Sequence, residues 1–371
     1  MSHKRFNFPV STLAGTTVRN SLLICRGHSI GRKYIGKLIL TFLVSGIFGI
    51  FSLYEWLIWR RRLARFKPSE QPVFIIGFWR SGTTLLHNLL CQDSSAAYTT
   101  TFQTVFPHLT LTQSWWLKPL ADNLLPSGRP FDNVSWGMDS PQEEEFGLMN
   151  LQPDSIYKFF LFPEDFDDIV EQELFTANLP EKKLKYWKKR YREMYAKAVF
   201  NTGGTRYISK NPCNLTRLGL LTEMFPDAKF IFIHRDPYEV VESLYRFILG
   251  VFPGVQLQDV PSDFTREKVA LLYDKIIRTY LQDRNLIDPR NLIELKMEDL
   301  MEDPSGIIRS IYERFQYDGI DDLAPILEQF IAGENNSGHD PYVVETETIR
   351  QVNYHLGDLV KQMGYNVVEA E

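Results

Sequence analysis

The 371-residue sequence predicts an α/β fold: a central, mainly parallel sheet with helices on both faces, plus an N-terminal hydrophobic helix. Three observations predict it. From Pro72 onward, short apolar runs alternate with helical patterns. A glycine loop, "GFWRSGTT" at 77–84, joins the first of those runs to the first helix. Upstream, Leu38–Tyr54 is seventeen residues without a charge.

Size and composition bound the answer. At roughly 150 residues per domain the length fits two domains or one large one. The segments expected are 1–70, carrying a hydrophobic helix at about 38–59, and an α/β domain over 71–371 with a mostly helical or irregular insert at about 95–200. With 44% hydrophobic and 23% charged residues there is ample material for a core. A net charge of −5 argues against a nucleic-acid partner. Cys25, Cys91 and Cys213 are far apart and in no metal spacing, which implies neither a disulfide framework nor a zinc site.

The N-terminal run reaches the roughly 20 residues of a membrane span only by including Glu55. That residue is expected at an interface, beside Trp56 and Trp59. The run lies too far into the chain, behind too polar a lead, for an ordinary cleaved signal. It predicts membrane association, as a span or as a helix in the membrane plane, against a buried core helix. Arg32, Lys33 and Lys37 flank one end and Arg60, Arg61, Arg62 and Arg65 the other, so charge does not set an orientation.

The α/β elements follow in order. Val73–Ile76 reads as a short buried strand and Thr83–Leu90 as a helix. In "EKKLKYWKKRYREMY" (181–195), Leu184, Trp187, Tyr191 and Met194 recur at helical spacing among lysines and arginines. Tyr207–Ser209 is a strand ending at Lys210, and Leu215–Met224 a helix stopped by Pro226. "KFIFI" (229–233) is a strong strand, and Pro237 suits the first turn of a helix over Tyr238–Leu249. Asn291–Leu295 is a further strand, and "MEDLMEDP" leads to a helix from Pro304. In such sheets ligands sit beyond the carboxyl ends of the strands. Three strand ends carry suitable polar groups: 77–84, 209–212 and 234–243.

The loop is the strongest of the three. Gly77 and Gly82 stand at the G-x-x-x-x-G spacing of a phosphate loop, permitting close backbone approach to an anion at a helix N-terminus. Ser81, Thr83 and Thr84 add hydroxyls. The lysine that a nucleoside-triphosphate loop needs after its second glycine is missing, since Thr83 stands there, and the nearest cation is Arg80 inside the loop. A three-layer, P-loop-like fold is therefore expected without ordinary ATPase or GTPase chemistry.

Gly77-x-x-Arg80-Ser81-Gly82-Thr83-Thr84 resembles the 5′-phosphosulfate loop of the sulfotransferases that use 3′-phosphoadenosine 5′-phosphosulfate (PAPS). "FIFIHRDPYEVVESLYRF" (230–247) is similar to the family's 3′-phosphate motif, with Arg235 at a strand end and Ser243 eight residues later. "YISKNPCNLTRLGLLTEMFPDAKF" (207–230) matches the bacterial branch. The resemblance covers about 72–370, with specific motifs over about fifty residues. It implies in-line transfer of a sulfuryl group from PAPS to a hydroxyl of a lipid, glycan or small molecule, without a metal. Arg80 would hold the bridging oxygen of the leaving 5′-phosphate, Lys210 the sulfuryl oxygens, and Arg235 and Ser243 the 3′-phosphate. The alternatives are a non-catalytic nucleotide-binding membrane protein and an atypical kinase. Localisation would be the cytoplasmic face of a membrane if bacterial, or the Golgi lumen if eukaryotic.

The general base departs from better-known branches, because 100–110 ("TTFQTVFPHLT") lacks their early glutamate. "DSPQEEEFGLM" (139–149) resembles the bacterial acidic motif. Ser140 and Pro141 read as N-cap and first turn, with Glu143 completing a capping box. Glu144 and Glu145 are then the freer candidates, and one of the three is expected to be the base. His87 is the runner-up.

Overall fold

The protein is described by a computed structural model over residues 10–123, 137–334 and 343–369. Helix α1 (Val18–Cys25) and the long α2 (Ile35–Ala64) precede β1 (Val73–Ile76) and α3 (Thr83–Leu90). Then come β2 (Ala96–Ala97), α4 (Thr101–Val105), α5 (Ser114–Asp122), α6 (Glu144–Leu151), α7 (Phe166–Glu173) and α8 (Glu181–Thr202). The second α/β run is β3 (Arg206–Lys210), α9 (Leu218–Met224), β4 (Lys229–His234), α10 (Pro237–Val255) and α11 (Arg266–Asp283). It continues with β5 (Leu292–Lys296), α12 (Met297–Glu302), α13 (Pro304–Phe315), α14 (Ile320–Glu334) and α15 (Thr346–Gln362). The fold is α/β, and the strand pairings β2–β3, β1–β4 and β4–β5 are all parallel.

The chain forms two compact units. The first comprises Met1–Pro72, Ser94–Ser209 and Val251–Val260, and the second Val73–Asp93, Lys210–Gly250 and Pro261–Glu371.

In the first unit β2 pairs with β3, Ala96 opposite Arg206 and Ala97 opposite Tyr207. Helix α2 packs one polar-studded face inward. Thr41 Oγ1 accepts from the Ser11 N–H at 2.9 Å, and Ser45 Oγ donates to the Leu13 carbonyl at 3.1 Å. Glu55 is not at an interface beside the tryptophans. It is 1% exposed, 2.8 Å from Lys197 Nζ of α8, and it accepts the Leu111 and Thr112 N–H groups. A carboxylate tolerates burial only when paired and hydrogen-bonded in this way. The opposite face of α2 is exposed and apolar. Helix α8 buries Trp187, Tyr191 and Met194 of the expected stripe, leaves Leu184 half-buried, and ends at Gly203 with φ +81.

In the second unit β4 lies between β1 and β5, with Phe232 opposite Ile76 and Glu294. Its inner residues, Phe230–Ile233, are buried, as expected of a strand covered on both faces. Glu242 of α10 is buried and accepts from Arg246, from Arg266 of α11 at 2.9 Å and from Thr348 of α15, tying three helices together.

Some elements differ from expectation. The helix predicted over Leu215–Met224 splits into a 3₁₀ turn at Pro212–Thr216 and α9. Asn211 Oδ1 accepts the Cys213 N–H at 3.0 Å with Pro212 at the first position, so the turn nucleates early. "MEDLME" forms its own helix, α12, before Asp303 caps α13 by accepting the Gly306 N–H at 2.8 Å.

Candidate functional site

β1 delivers the chain into the glycine loop, and α3 carries it away. Gly77 presses on the end of β4: a side chain there would strike the Ile233 carbonyl oxygen and the Ser81 hydroxyl. Gly82 is left-handed, φ +93, and a Cβ would meet the Met297 side chain. Both glycines are therefore required, the first by close approach and the second by conformation as well. Ser81 is buried, and its hydroxyl lies 2.7 Å from the Phe78 carbonyl and 3.1 Å from that of Ile233. The side chain thus pins the loop's own shape. Thr83 is buried in the first turn of α3, Thr84 is half-buried, and His87 is buried one turn later.

Arg80 is also left-handed, φ 68. Its Nε donates to Ser243 Oγ of α10 at 3.0 Å, and its guanidinium lies 5.3 Å from the Phe247 ring centre. Ser243 and Phe247 are one turn apart, so one face of α10 fixes the arginine. Two residues 163 positions apart are thereby brought together. At the end of β3, Lys210 is buried and reaches Thr84 Oγ1 at 3.4 Å. Arg235 pairs with Glu239, four residues on, with both side chains partly exposed. Such a pair contributes about 0–1 kcal/mol, so an incoming anion displaces it at little cost.

The acidic segment lies in the first unit, and there the capping-box expectation fails. Residues 140–142 run extended beside 99–101: the Gln142 N–H donates to Thr99, and the Ser140 carbonyl accepts from Thr101. Ser140 Oγ accepts the Gly137 N–H instead of capping α6. Helix α6 starts at Glu144, and Glu143 is the N-cap residue with no side-chain cap. Glu144 and Glu145 are not the freer pair, being 1% and 0% exposed. Glu144 accepts from the Tyr191 hydroxyl, from that of Tyr207 at 2.5 Å and from Ser209 Oγ at 2.9 Å. Three donors fill most of a carboxylate's four lone-pair directions. Burial and the adjacent Glu144 charge push the Tyr207 phenol well up, so it stays a donor. Glu145 accepts from Ser155 Oγ at 2.7 Å. Glu143 alone of the three is partly exposed, and it accepts from the Tyr157 hydroxyl.

Tyr191, Tyr207 and Ser209 were missed as parts of this arrangement. A signal existed, since a tyrosine on a core stripe must bring a polar partner for its hydroxyl.

The loop thus gathers an arginine and a lysine while omitting the lysine that a γ-phosphate requires, the make-up of an anion-binding site outside the ordinary triphosphate hydrolases. Comparison with known proteins makes this specific. Residues 72–322 match the sulfotransferase family, and the chain belongs to it: it is a sulfotransferase of bacterial type. The omega-hydroxy-beta-dihydromenaquinone-9 sulfotransferases Stf3 of Mycobacterium bovis and Mycobacterium tuberculosis are each 31% identical over 326 residues, 88% of this chain and 83% of theirs. Among solved structures, sulfotransferase STF9 from Mycobacterium avium superposes with TM-score 0.67 at 17% identity, covering 85% of this chain and 82% of that one. Sulfotransferase STF1 from Mycobacterium tuberculosis gives 0.60 at 18%, covering 83% and 86%. At those identities the structures show the shared fold alone.

Proposed function

We propose that the protein transfers the sulfuryl group of PAPS to a hydroxyl of a lipid acceptor at a membrane. The observation that carries the transfer chemistry is the convergence of Arg80 and Ser243 on the glycine loop, with Lys210 on the loop's first helical turn. The donor set fits the co-substrate. Backbone N–H groups at the α3 N-terminus, Thr83 and Thr84 suit the 5′-phosphate, Arg80 the bridging oxygen, and Ser243 and Arg235 the 3′-phosphate. PAPS supplies an activated sulfuryl group with a bisphosphate leaving group. The acceptor oxygen forms the new S–O bond, the S–O bond to the 5′-phosphate breaks, and the acceptor proton passes to a carboxylate. Cationic side chains stabilise the charge that develops, as in phosphoryl transfer.

We assign the base to Glu143. A base must touch the acceptor, and of the three glutamates this one is partly exposed. Glu144 acts as a positioning residue within the first unit, holding Tyr207 and Ser209 of β3. The lipid reading rests on the mycobacterial relatives, named for a hydroxylated menaquinone, and on the exposed apolar face of α2.

The test uses the full chain, radiolabelled PAPS and a hydroxylated menaquinone or a long-chain alcohol. Label should appear in the acceptor. Arg80→Ala should lose on the order of 10²–10³ in kcat. Glu143→Gln should lose transfer while keeping calorimetric binding of 3′,5′-ADP. Absence of both transfer and 3′,5′-ADP binding overturns the reading. Full activity of Glu143→Gln overturns the base assignment alone.

A further inference from the structure

We propose that α2 lies flat in the headgroup region of an anionic lipid leaflet, its apolar face inserted, so that the enzyme docks on one leaflet and does not span the bilayer. The inference rests on the membrane reading above and fixes its geometry.

The helix is long and apolar enough to cross a membrane. Its inner side nevertheless bonds to the first unit at nearly every turn. Lys37 Nζ donates to the Gly254 carbonyl at 2.7 Å, and Thr41 and Ser45 hold the segment 11–14. Phe48 packs on Phe106, Phe51 on Trp116 and Trp59 on Phe200. Glu55 is locked to Lys197 by a pair with both side chains almost wholly buried. A spanning helix would surrender these contacts or drag polar groups of the unit into hydrocarbon.

The outer side carries Ile39, Leu43, Ile47, Ile50, Leu53 and Leu57, all more than half exposed, with Ile50 at 73%. Their spacing of three and four makes one stripe, about 27 Å long. Soluble surfaces rarely show such a patch without a partner. Charge identifies the partner. Arg32 and Lys33 are exposed at one end of the stripe, Lys33 in an exposed surface pair with Asp259 that an anionic headgroup can replace at little cost, and Arg60, Arg61, Arg62 and Arg65 are exposed at the other. Arg60 lies over the exposed Trp56 ring at 4.6 Å, the aromatic–cation pairing suited to a headgroup layer. The only acid in α2, Glu55, faces inward. A second copy on this stripe is disfavoured. Parallel or antiparallel, two such helices set one cationic end against another. An anionic leaflet complements both ends at once.

The experiment is flotation of the full chain with vesicles of phosphatidylcholine containing phosphatidylglycerol, against phosphatidylcholine alone. Binding should be strong on the first and at least tenfold weaker on the second. Ile50→Glu should weaken it tenfold or more, and Arg60→Glu/Arg61→Glu should remove its dependence on the anionic lipid. Both variants should keep 3′,5′-ADP binding and turnover of a soluble alcohol, which separates docking from folding and from chemistry. An environment-sensitive dye on Leu43→Cys, Ile50→Cys and Leu57→Cys should report one shallow depth from lipid-borne quenchers. Three outcomes overturn the proposal: no flotation, flotation indifferent to Ile50→Glu, or a solution dimer that Ile50→Glu dissociates. Depth that is greatest at 50 and shallow at 43 and 57 leaves membrane association standing and rejects the flat seat.

Discussion

Lys197→Met should destabilise the first unit more than any exposed charge change. The two side chains of the Lys197–Glu55 pair are 3% and 2% exposed and lie 2.8 Å apart. Lys197 also donates to the Pro107 carbonyl at 2.6 Å. Removing the cation leaves the buried Glu55 carboxylate supported by the Leu111 and Thr112 N–H groups and the Thr112 hydroxyl, and takes a cationic neighbour from Glu193, which lies 3.5 Å from the same ammonium. Breaking a buried pair costs about 3–5 kcal/mol, and these donors place the cost near the lower end. The corresponding fall in Tm is about 4 °C for the whole chain, and about 7 °C if the first unit melts alone. Glu55→Gln/Lys197→Met removes both charges of the pair while keeping an acceptor for the two amides, so it should recover the part of the loss that comes from Glu55, with Arg190 remaining beside Glu193. Circular-dichroism melts of the two single variants and the double variant form the cycle. A Lys197→Met protein melting within a degree of the parent would refute the reasoning, and so would a double variant no better than the single.

Two further outcomes follow from the second unit. Gly82→Ala should cost a few kcal/mol, since it combines a left-handed φ with a side chain driven onto Met297, and 3′,5′-ADP binding measured by calorimetry should fall with it. Glu242 has a carboxyl lowered from 4.5 to about 2: burial opposes the shift, and the Arg266, Thr348 and Arg246 bonds outweigh it. A depressed folded-state pKa contributes stability that is complete above about 4.5 and is lost as pH falls toward 2. After allowance for solvent screening the contribution is about 2 kcal/mol. Urea melts across pH 5 to about 2 should lose that amount in the parent, and Glu242→Gln should flatten this limb.

The α/β run was legible where period and punctuation agree. "VFII" and "KFIFI" are strands because uninterrupted apolar runs of that length suit a sheet buried on both faces, and the glycine loop marked where β1 ends. Part of the candidate site was legible for the same reason, since strand ends are where a parallel sheet leaves room for ligands. The Arg80–Ser243 contact was not, because local sequence does not encode which turn of α10 passes the loop. The acidic segment misled through a local pattern. Ser-Pro-Gln-Glu is good capping chemistry, but pairing of 140–142 with 99–101 took the backbone groups first, and tertiary context overrode propensity. Glu55 misled in the same way. Beside two tryptophans it resembles an interfacial residue, and only the fold supplies Lys197, 142 positions away.

Arg80 shows the reverse relation between local preference and site. Among the described residues two non-glycines have positive φ, Gln316 and Arg80. Gln316 is the C-cap of α13, where the left-handed turn ends a helix. Arg80 ends no helix. It sits inside a loop whose neighbouring left-handed position is a glycine, and glycine at 80 would remove roughly 1–2 kcal/mol of strain. The chain carries an arginine there and holds it with a serine and a phenylalanine from one turn of α10. The α10 contacts fix the guanidinium before any anion arrives, and in the role proposed for Arg80 at the bridging oxygen that preorganisation would spare the reaction the cost of reorienting it. On the proposed role, a residue that lowers local stability while a distant helix fixes its direction is one where the needs of transfer would outrank those of folding.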